Sequence, residues 1–260
     1  MTPISVAGSK PRAGRWRKAL LWLVAILAVL AIALVVALNW LTYEPEQAAL
    51  QYIGSSEQVA VTNTKHWISF EPAGQAQTEN IIFYPGGLVE PESYAPFLFS
   101  LAEQGYRAFL VKMPLQLAVF AQNRASEIIE LAPNQSYVIG GHSLGGSMAA
   151  RFTASHPDAI DGIFFLASYA DDKANLSASG LQALQITGTQ DNVLNREVWE
   201  NSRGHLPEDA VYLEIEGGNH AQFGMYGPQR GDGEPAIGGD EQLRQTVEGI
   251  VGWLQGFPRS

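Results

Sequence analysis

The chain has 260 residues, 46% hydrophobic and 16% charged, which excludes a disordered polymer and supplies one sizeable core. It has no cysteine, which excludes disulfides, thiolate metal sites and a cysteine nucleophile. The net charge of −10 is uneven: Lys10, Arg12, Arg15, Arg17 and Lys18 lie in a first stretch without any acid, and the acidic remainder is a poor match for a phosphate backbone, so nucleic acid is not an expected partner.

Residues 19–38 form an uncharged apolar run of 20 residues. As a helix it spans about 30 Å, the thickness of a bilayer hydrocarbon core. Trp16, Trp22 and Trp40 stand near its ends, where amphipathic rings favour the interface. The basic cluster on its amino-terminal side predicts a cytoplasmic tail over 1–18, a transmembrane signal anchor over 19–41, and everything later outside the membrane. A cleaved signal peptide is the competing reading, since Ala31–Ala33 and Val35–Ala37 have cleavage-site spacing. Either way the same acidic domain is delivered outside.

A polar linker is expected over 42–56 and one domain over 57–260. Val59–Val61 and Trp67–Phe70 read as a first hairpin. Asn80–Tyr84 reads as a buried strand ending in Pro85-Gly86-Gly87, Pro91–Gln104 as a helix, and Tyr106–Val111 as a strand. Leu115–Leu131 has helical spacing. Tyr137–Gly140 is a strand running into Gly141-His142-Ser143-Leu144-Gly145-Gly146, followed by a helix to Ser155. Ile160–Leu166, Leu181–Ile186 and Val211–Ile215 are further short strands, and Glu241–Leu254 is a closing helix. Strands alternating with helices predict an α/β class with a mostly parallel central sheet and helices on both faces.

The strongest chemical signal is Gly141-His142-Ser143-Leu144-Gly145, a G-x-S-x-G between a strand and a helix. The glycines remove side chains that a sharp strand-to-helix turn cannot accommodate. The turn lifts the Ser143 hydroxyl from the sheet edge and aims the Leu144 N–H at the reacting oxygen. A serine nucleophile needs a base held by an acid. Asp191 follows the Leu181–Ile186 strand and His220 follows the Val211–Ile215 strand, so loops from one sheet edge can bring the three together. Asp171 and Asp172, one strand earlier, are the alternative acids. His142 is the variable position of the motif and is expected to point away from the serine. His66 precedes the sheet core, and His156 and His205 read as surface histidines. The second oxyanion donor is expected from Pro85-Gly86-Gly87-Leu88-Val89, with the Gly87 N–H first and that of Leu88 second.

With these motifs in hand, residues 80–254 resemble the α/β-hydrolase superfamily. Tyr84–Gly87 stands where many members carry a His-Gly pair, and Gly141–Gly145, Gly188–Asp191 and Gly217–His220 stand at the elbow, acid and base positions. The resemblance is nearest to the compact, lid-poor dienelactone hydrolases (carboxymethylenebutenolidases). Residues 217–237, with Gly231-Asp232-Gly233, look like a stretch particular to a membrane-attached or secreted branch. Those lactonases use cysteine, absent here, so the resemblance implies a serine esterase-like reaction on a small-molecule ester, with no cofactor and no metal. An acyltransferase on the same triad and a non-catalytic binding protein on the same fold are the alternatives. Cap domains are usually inserted between the strands ending at Leu166 and starting at Leu181, and only about 14 residues stand there. An open site is therefore expected, or one lightly covered by this segment and by Gly224–Gly239; Phe223, Tyr226, Leu88 and Leu115 are candidates to line it, with core packing the equal alternative for each.

Overall fold

The computed structural model describes residues 13–257, in which the chain divides into two units. Helix α1, Ala13–Leu41, is one unit. Within its stretch Trp16–Leu41 an 18-residue window reaches a mean hydropathy of 3.2 with none of it buried in protein, so the helix is long and apolar enough to cross a membrane. Lys10 and Arg12 of the expected basic tail lie outside the described residues. The body begins at Thr42.

Eight strands form one sheet in the body: β1 (Val59–Asn63), β2 (Trp67–Pro72), β3 (Glu79–Tyr84), β4 (Ala108–Val111), β5 (Ser136–His142), β6 (Gly162–Leu166), β7 (Gln182–Gly188) and β8 (Val211–Ile215). Their order is β1-β2-β4-β3-β5-β6-β7-β8. The β1–β2 and β2–β4 pairs are antiparallel, and every other pair is parallel. Side chains alternate across the pleat. Ile81, Phe83, Phe164 and Leu166 enter one apolar layer, beneath α2 (Ala95–Glu103) and α6 (Gly239–Gln255). Ile82, Tyr84, Ile163 and Phe165 enter the other, beneath α3 (Ala125–Ile129) and α4 (Leu144–Ser155). A short α5 (Arg196–Ser202) precedes β8. The mostly parallel sheet with helices on both faces is as the sequence pattern predicted.

The chain reverses its direction of sheet growth between β3 and β5, and the crevice outside the carboxyl ends of such strands is where ligands bind in open α/β sheets. Tyr84 pairs with Gly141 in register, so the loop after β3 and the turn after β5 leave the sheet side by side.

Two segments differ from expectation. Residues 115–131 are not one helix but two 3-10 turns, Pro114–Gln116 and Ala118–Phe120, and the short α3. Leu115 and Gln116 have φ of 53° and 55°, and the Leu88 N–H donates to the Gln116 carbonyl, so a long-range backbone contact overrides the local helical spacing. Residues 42–56, expected to be a free linker, pack on the body instead. The Tyr43 N–H donates to Leu88, the Glu90 N–H to Tyr43 and the Glu46 N–H to Met225. A 3-10 turn at Ala49–Ile53 buries Ala49 and sets the Tyr52 ring edge-on to Phe99 at 5.3 Å. The scattered apolar residues of this polar stretch, Tyr43, Tyr52 and Ile53, are what it contributes to the core.

A Cβ on Gly145 would lie 2.3 Å from the backbone carbonyl oxygens of Tyr84 and Pro85, whereas one on Gly252, exposed in α6, would meet nothing within 4 Å. Gly145→Ala is expected to destabilise the body by about 1–3 kcal/mol through overpacking against rigid backbone. Gly252→Ala is expected to stabilise it by about 0.5–1 kcal/mol. Denaturant unfolding followed by near-ultraviolet circular dichroism checks both, and equal effects at the two sites would contradict the packing argument.

Candidate active site

The turn after β5 is built by exclusion of side chains. A Cβ on Gly141 would lie 2.5 Å from the backbone of Gly145 and Gly146, so only glycine lets α4 start this close to the strand it follows. The residue between them carries the strain: Ser143 has φ 50° and ψ −124°, a conformation that costs on the order of 1–3 kcal/mol and persists only where its surroundings fix it. Here the Ser143 N–H donates to the Leu166 carbonyl, and its own carbonyl accepts from the Ser168 hydroxyl at 2.6 Å and the Gly146 N–H at 3.1 Å. Ser143 Oγ makes no hydrogen bond among the described residues.

Asp191 and His220 meet as the sequence pattern suggested. Gly188 pairs with Ile215 in register, so the loops after β7 and β8 also emerge together. His220 Nδ1 lies 2.9 Å from Asp191 Oδ2, and both side chains are buried. The other carboxylate oxygen accepts the N–H groups of Val193 at 2.9 Å and Leu194 at 2.8 Å. Burial pushes the Asp191 carboxyl up, but the hydrogen bond and charge of His220, together with the Leu194 and Val193 donors, outweigh it and hold the group below the ordinary carboxylate range. The alternative acids are engaged elsewhere. Asp171 forms an ion pair with Arg151, and the fully exposed Asp172 lies 3.8 Å from His205. His66 bonds to Glu127, and His156 to the Phe152 carbonyl.

The ring of His142 packs against His220, their centroids 4.5 Å apart. It is fully buried among Tyr94, Phe223 and Tyr226. Of the two readings open for Phe223 and Tyr226, pocket lining and core packing, their burial around this ring places them in the apolar core. Burial and the neighbouring His220 hold the His142 imidazole well below the usual histidine range, so it is neutral. Burial raises the Tyr94 hydroxyl above its ordinary range, so it keeps its proton. That hydroxyl accepts the Gly86 N–H at 3.1 Å and donates to His142 Nδ1 at 2.7 Å. The imidazole proton then sits on Nε2, which is buried without a hydrogen-bond partner among the described residues. Tyr94 thus ties the loop after β3 to the turn after β5.

The same bond sorts the candidate oxyanion donors. The Gly86 N–H is taken by Tyr94 and the Leu88 N–H by Gln116, which leaves that of Gly87 without an acceptor among the described residues. A Cβ on Gly87 would stand 3.0 Å from the Leu144 side chain, so the two expected donors, Gly87 and Leu144, are neighbours. Leu88, the next residue, has positive φ, as does Leu115, which is exposed.

Asp232 was not a candidate from the sequence, although its Gly-Asp-Gly setting had stood out. Its carboxylate accepts the N–H groups of Asn192 at 3.3 Å, Ala221 at 2.8 Å and Gly233 at 2.8 Å. Asn192 and Ala221 directly follow Asp191 and His220, so one side chain links the loops after β7 and β8. Among the described residues no three His, Asp or Glu side chains gather as a metal-ligand set.

A family model described as the alpha/beta hydrolase family matches residues 80–244. No curated protein matches the chain in sequence. Among solved structures, the chain is similar to an alpha/beta hydrolase enzyme from a sediment metagenome of the Mar Chica lagoon, Morocco (16% identity, TM-score 0.57, covering 75% of this chain and 98% of the other). It is also similar to an esterase from Mycobacterium tuberculosis (13% identity, TM-score 0.56, covering 80% and 97%) and to a dienelactone hydrolase from Anabaena variabilis (13% identity, TM-score 0.56, covering 78% and 100%).

Because the buried His142 has a depressed folded-state pKa, its neutral form contributes stability that is present above the unfolded value of about 6.5 and is lost as pH falls through and below it. Between pH 7.5 and pH 5 the body is expected to lose on the order of 1–2 kcal/mol from this group. His142→Gln keeps an acceptor for Tyr94 and removes the titration. Its unfolding free energy should depend less steeply on pH in that window, and an unchanged slope would refute the assignment.

Proposed function

Since the chain belongs to the alpha/beta hydrolase family, we propose that it is a serine hydrolase cleaving carboxylic esters through an acyl-enzyme. The observation that carries this reading is the buried 2.9 Å contact of His220 Nδ1 with Asp191 Oδ2, held beside a strained serine turn. In the proposed reaction Ser143 Oγ attacks the ester carbonyl carbon while His220 Nε2 takes its proton. Asp191 holds the Nδ1–H tautomer and stabilises the imidazolium. The N–H groups of Leu144 and Gly87 receive the developing oxyanion. His220 then protonates the leaving alcohol, and a water deprotonated by the same nitrogen releases the acid and frees Ser143.

The neutral His142 suits this cycle. A second cation 4.5 Å from the imidazolium would oppose its formation, whereas a neutral ring does not. The short segment between β6 and β7 and the esterase among its structural neighbours support a small-molecule or surface-presented ester as substrate. We assign α1 as a signal anchor that keeps the body on the outer side of a membrane. This rests on the apolar length of Trp16–Leu41 and on the basic residues before it.

Treating the full chain in detergent with a fluorescent fluorophosphonate is expected to label Ser143. Ser143→Ala should abolish labelling. Asp191→Asn should fold and still bind ester but hydrolyse it about 10³- to 10⁴-fold more slowly, in kcat rather than KM. A folded protein that neither labels nor hydrolyses short-chain esters would favour a non-catalytic role. Acyl transfer to an added alcohol in preference to water would favour the acyltransferase alternative.

A further inference from the structure

The chain enters the body beside the loop that carries Gly87. Thr42 follows α1 directly, and the next residue, Tyr43, already belongs to the body's backbone network. Its N–H donates to the Leu88 carbonyl at 2.8 Å, and its carbonyl accepts the Glu90 N–H at 3.0 Å. The Leu88 N–H in turn donates to the Gln116 carbonyl at 2.8 Å. Residues 43, 88 and 116 therefore lie side by side, each step about 5 Å, the spacing of hydrogen-bonded backbones. Two residues of chain reach at most about 7 Å, so Tyr43 stays within that distance of Leu41 whichever way α1 points.

The third segment of this strip is apolar for a surface loop. Between Lys112 and Arg124, no residue of 113–123 is charged. The flanking cations are spent on protein oxygens: Lys112 Nζ donates to Asn63 and the Thr64 carbonyl, and Arg124 to the Lys112 carbonyl. Leu115, Val119 and Phe120 are exposed, and Phe120 is the one exposed aromatic ring among the described residues of the body. Single exposed apolar side chains are ordinary, but three within one uncharged loop make a surface that water solvates poorly. The loop is held so that it cannot fold them away. Leu115 and Gln116 keep positive φ, and Ala118 is buried in the layer beneath α4. Leu117 borders Gly87, where a Cβ would meet its Cδ2 at 3.7 Å. At the chain entry, burial and then the charges of Glu92 and Glu44 raise the Glu90 carboxyl, so acids gather there. Acids at the entry and an uncharged loop suit zwitterionic or neutral headgroups better than anionic ones.

We propose that residues 113–123 seat in the headgroup–acyl boundary of the leaflet from which the chain emerges, and that the site takes long-chain esters directly from that leaflet. The seating rests on α1 as an anchor, and the ester class rests on the proposed hydrolysis. The anchor makes contact between loop and lipid intramolecular, so the loop needs little affinity of its own. Val119 and Phe120 exchange water for acyl chains there. The side chains of Leu117 and Leu144 both border Gly87, so an acyl chain that passes along the loop reaches the expected oxyanion donors over an apolar path.

The test reconstitutes the full chain in vesicles of diether phosphatidylcholine, a lipid without carboxylic esters. The chain has no cysteine, so a single introduced one takes a bimane label alone. Bimane on Phe120→Cys is expected to be quenched by nitroxide-labelled lipid and shielded from aqueous iodide. Bimane on Leu131→Cys, an exposed position before β5 at the opposite, amino edge of the sheet, should show the reverse. Val119→Ser/Phe120→Ser should slow hydrolysis of 4-methylumbelliferyl oleate in the vesicles about tenfold at subsaturating ester. It should leave hydrolysis of the water-soluble 4-methylumbelliferyl acetate unchanged, which also shows that the variant folds. Equal iodide access at positions 120 and 131 would overturn the seating. Equal slowing of both esters, or hydrolysis of the acetate with the oleate ignored, would overturn the ester class. Lipid quenching at position 120 in a protein that hydrolyses neither ester refutes the hydrolase reading, and the ester class with it, and leaves the seating in place.

Discussion

The buried hydrogen bond between Asp191 and His220 sets the terms for everything around it. Removing a carboxylate from water costs several kcal/mol unless its oxygens are satisfied. Asp191 meets that demand with one imidazole and two backbone N–H groups, and three donors leave it ionised where burial alone would neutralise it. Once Asp191 is fixed, His220 is fixed, and the ring below it must be uncharged. His142 meets that condition because burial and the neighbouring His220 hold its imidazole well below the usual histidine range, and the protonated Tyr94 hydroxyl donates a hydrogen bond to its Nδ1.

Two side chains convert four separate loops into one rigid edge. Tyr94 bridges the loop after β3 and the turn after β5, and Asp232 bridges the loops after β7 and β8. Each joins elements that the sheet brings close in register but does not orient. Hydrogen bonds from or to both loops limit the angle at which each leaves its strand, and those of the Asp232 carboxylate are charge-assisted. Positioning to fractions of an ångström is what separates an assembled set of groups from a merely adjacent one.

Glycine spacing around Ser143 and the strand runs before Asp191 and His220 made the elbow and its two expected partners legible in the sequence. These signals are local: a side chain excluded by a turn, or a residue one step past a strand. The Tyr94–His142 contact was not legible, because it joins positions 48 apart through a pairing register that no local pattern encodes. Asp232 was hidden for the same reason, although its flanking glycines marked the place. The stretch 115–131 misled because its apolar spacing fits a helix, while Leu115 and Gln116 are turned by a backbone bond to Leu88. The segment 42–56 misled because its polar majority masked the few apolar side chains that seat it.

The connection from β6 to β7 carries an implication for how such a body changes over evolutionary time. Ala170, Ala174 and Leu176 nail it to the layer beneath α4, and Asp171 is held by Arg151, while Asp172 and Lys173 stand in solvent between these anchors. Extra residues inserted at that exposed point would leave the seated side chains where they are and extend away from the core. Such a protein can acquire a cover, and with it a narrower choice of substrates, by lengthening one turn and leaving the Asp191–His220 contact untouched.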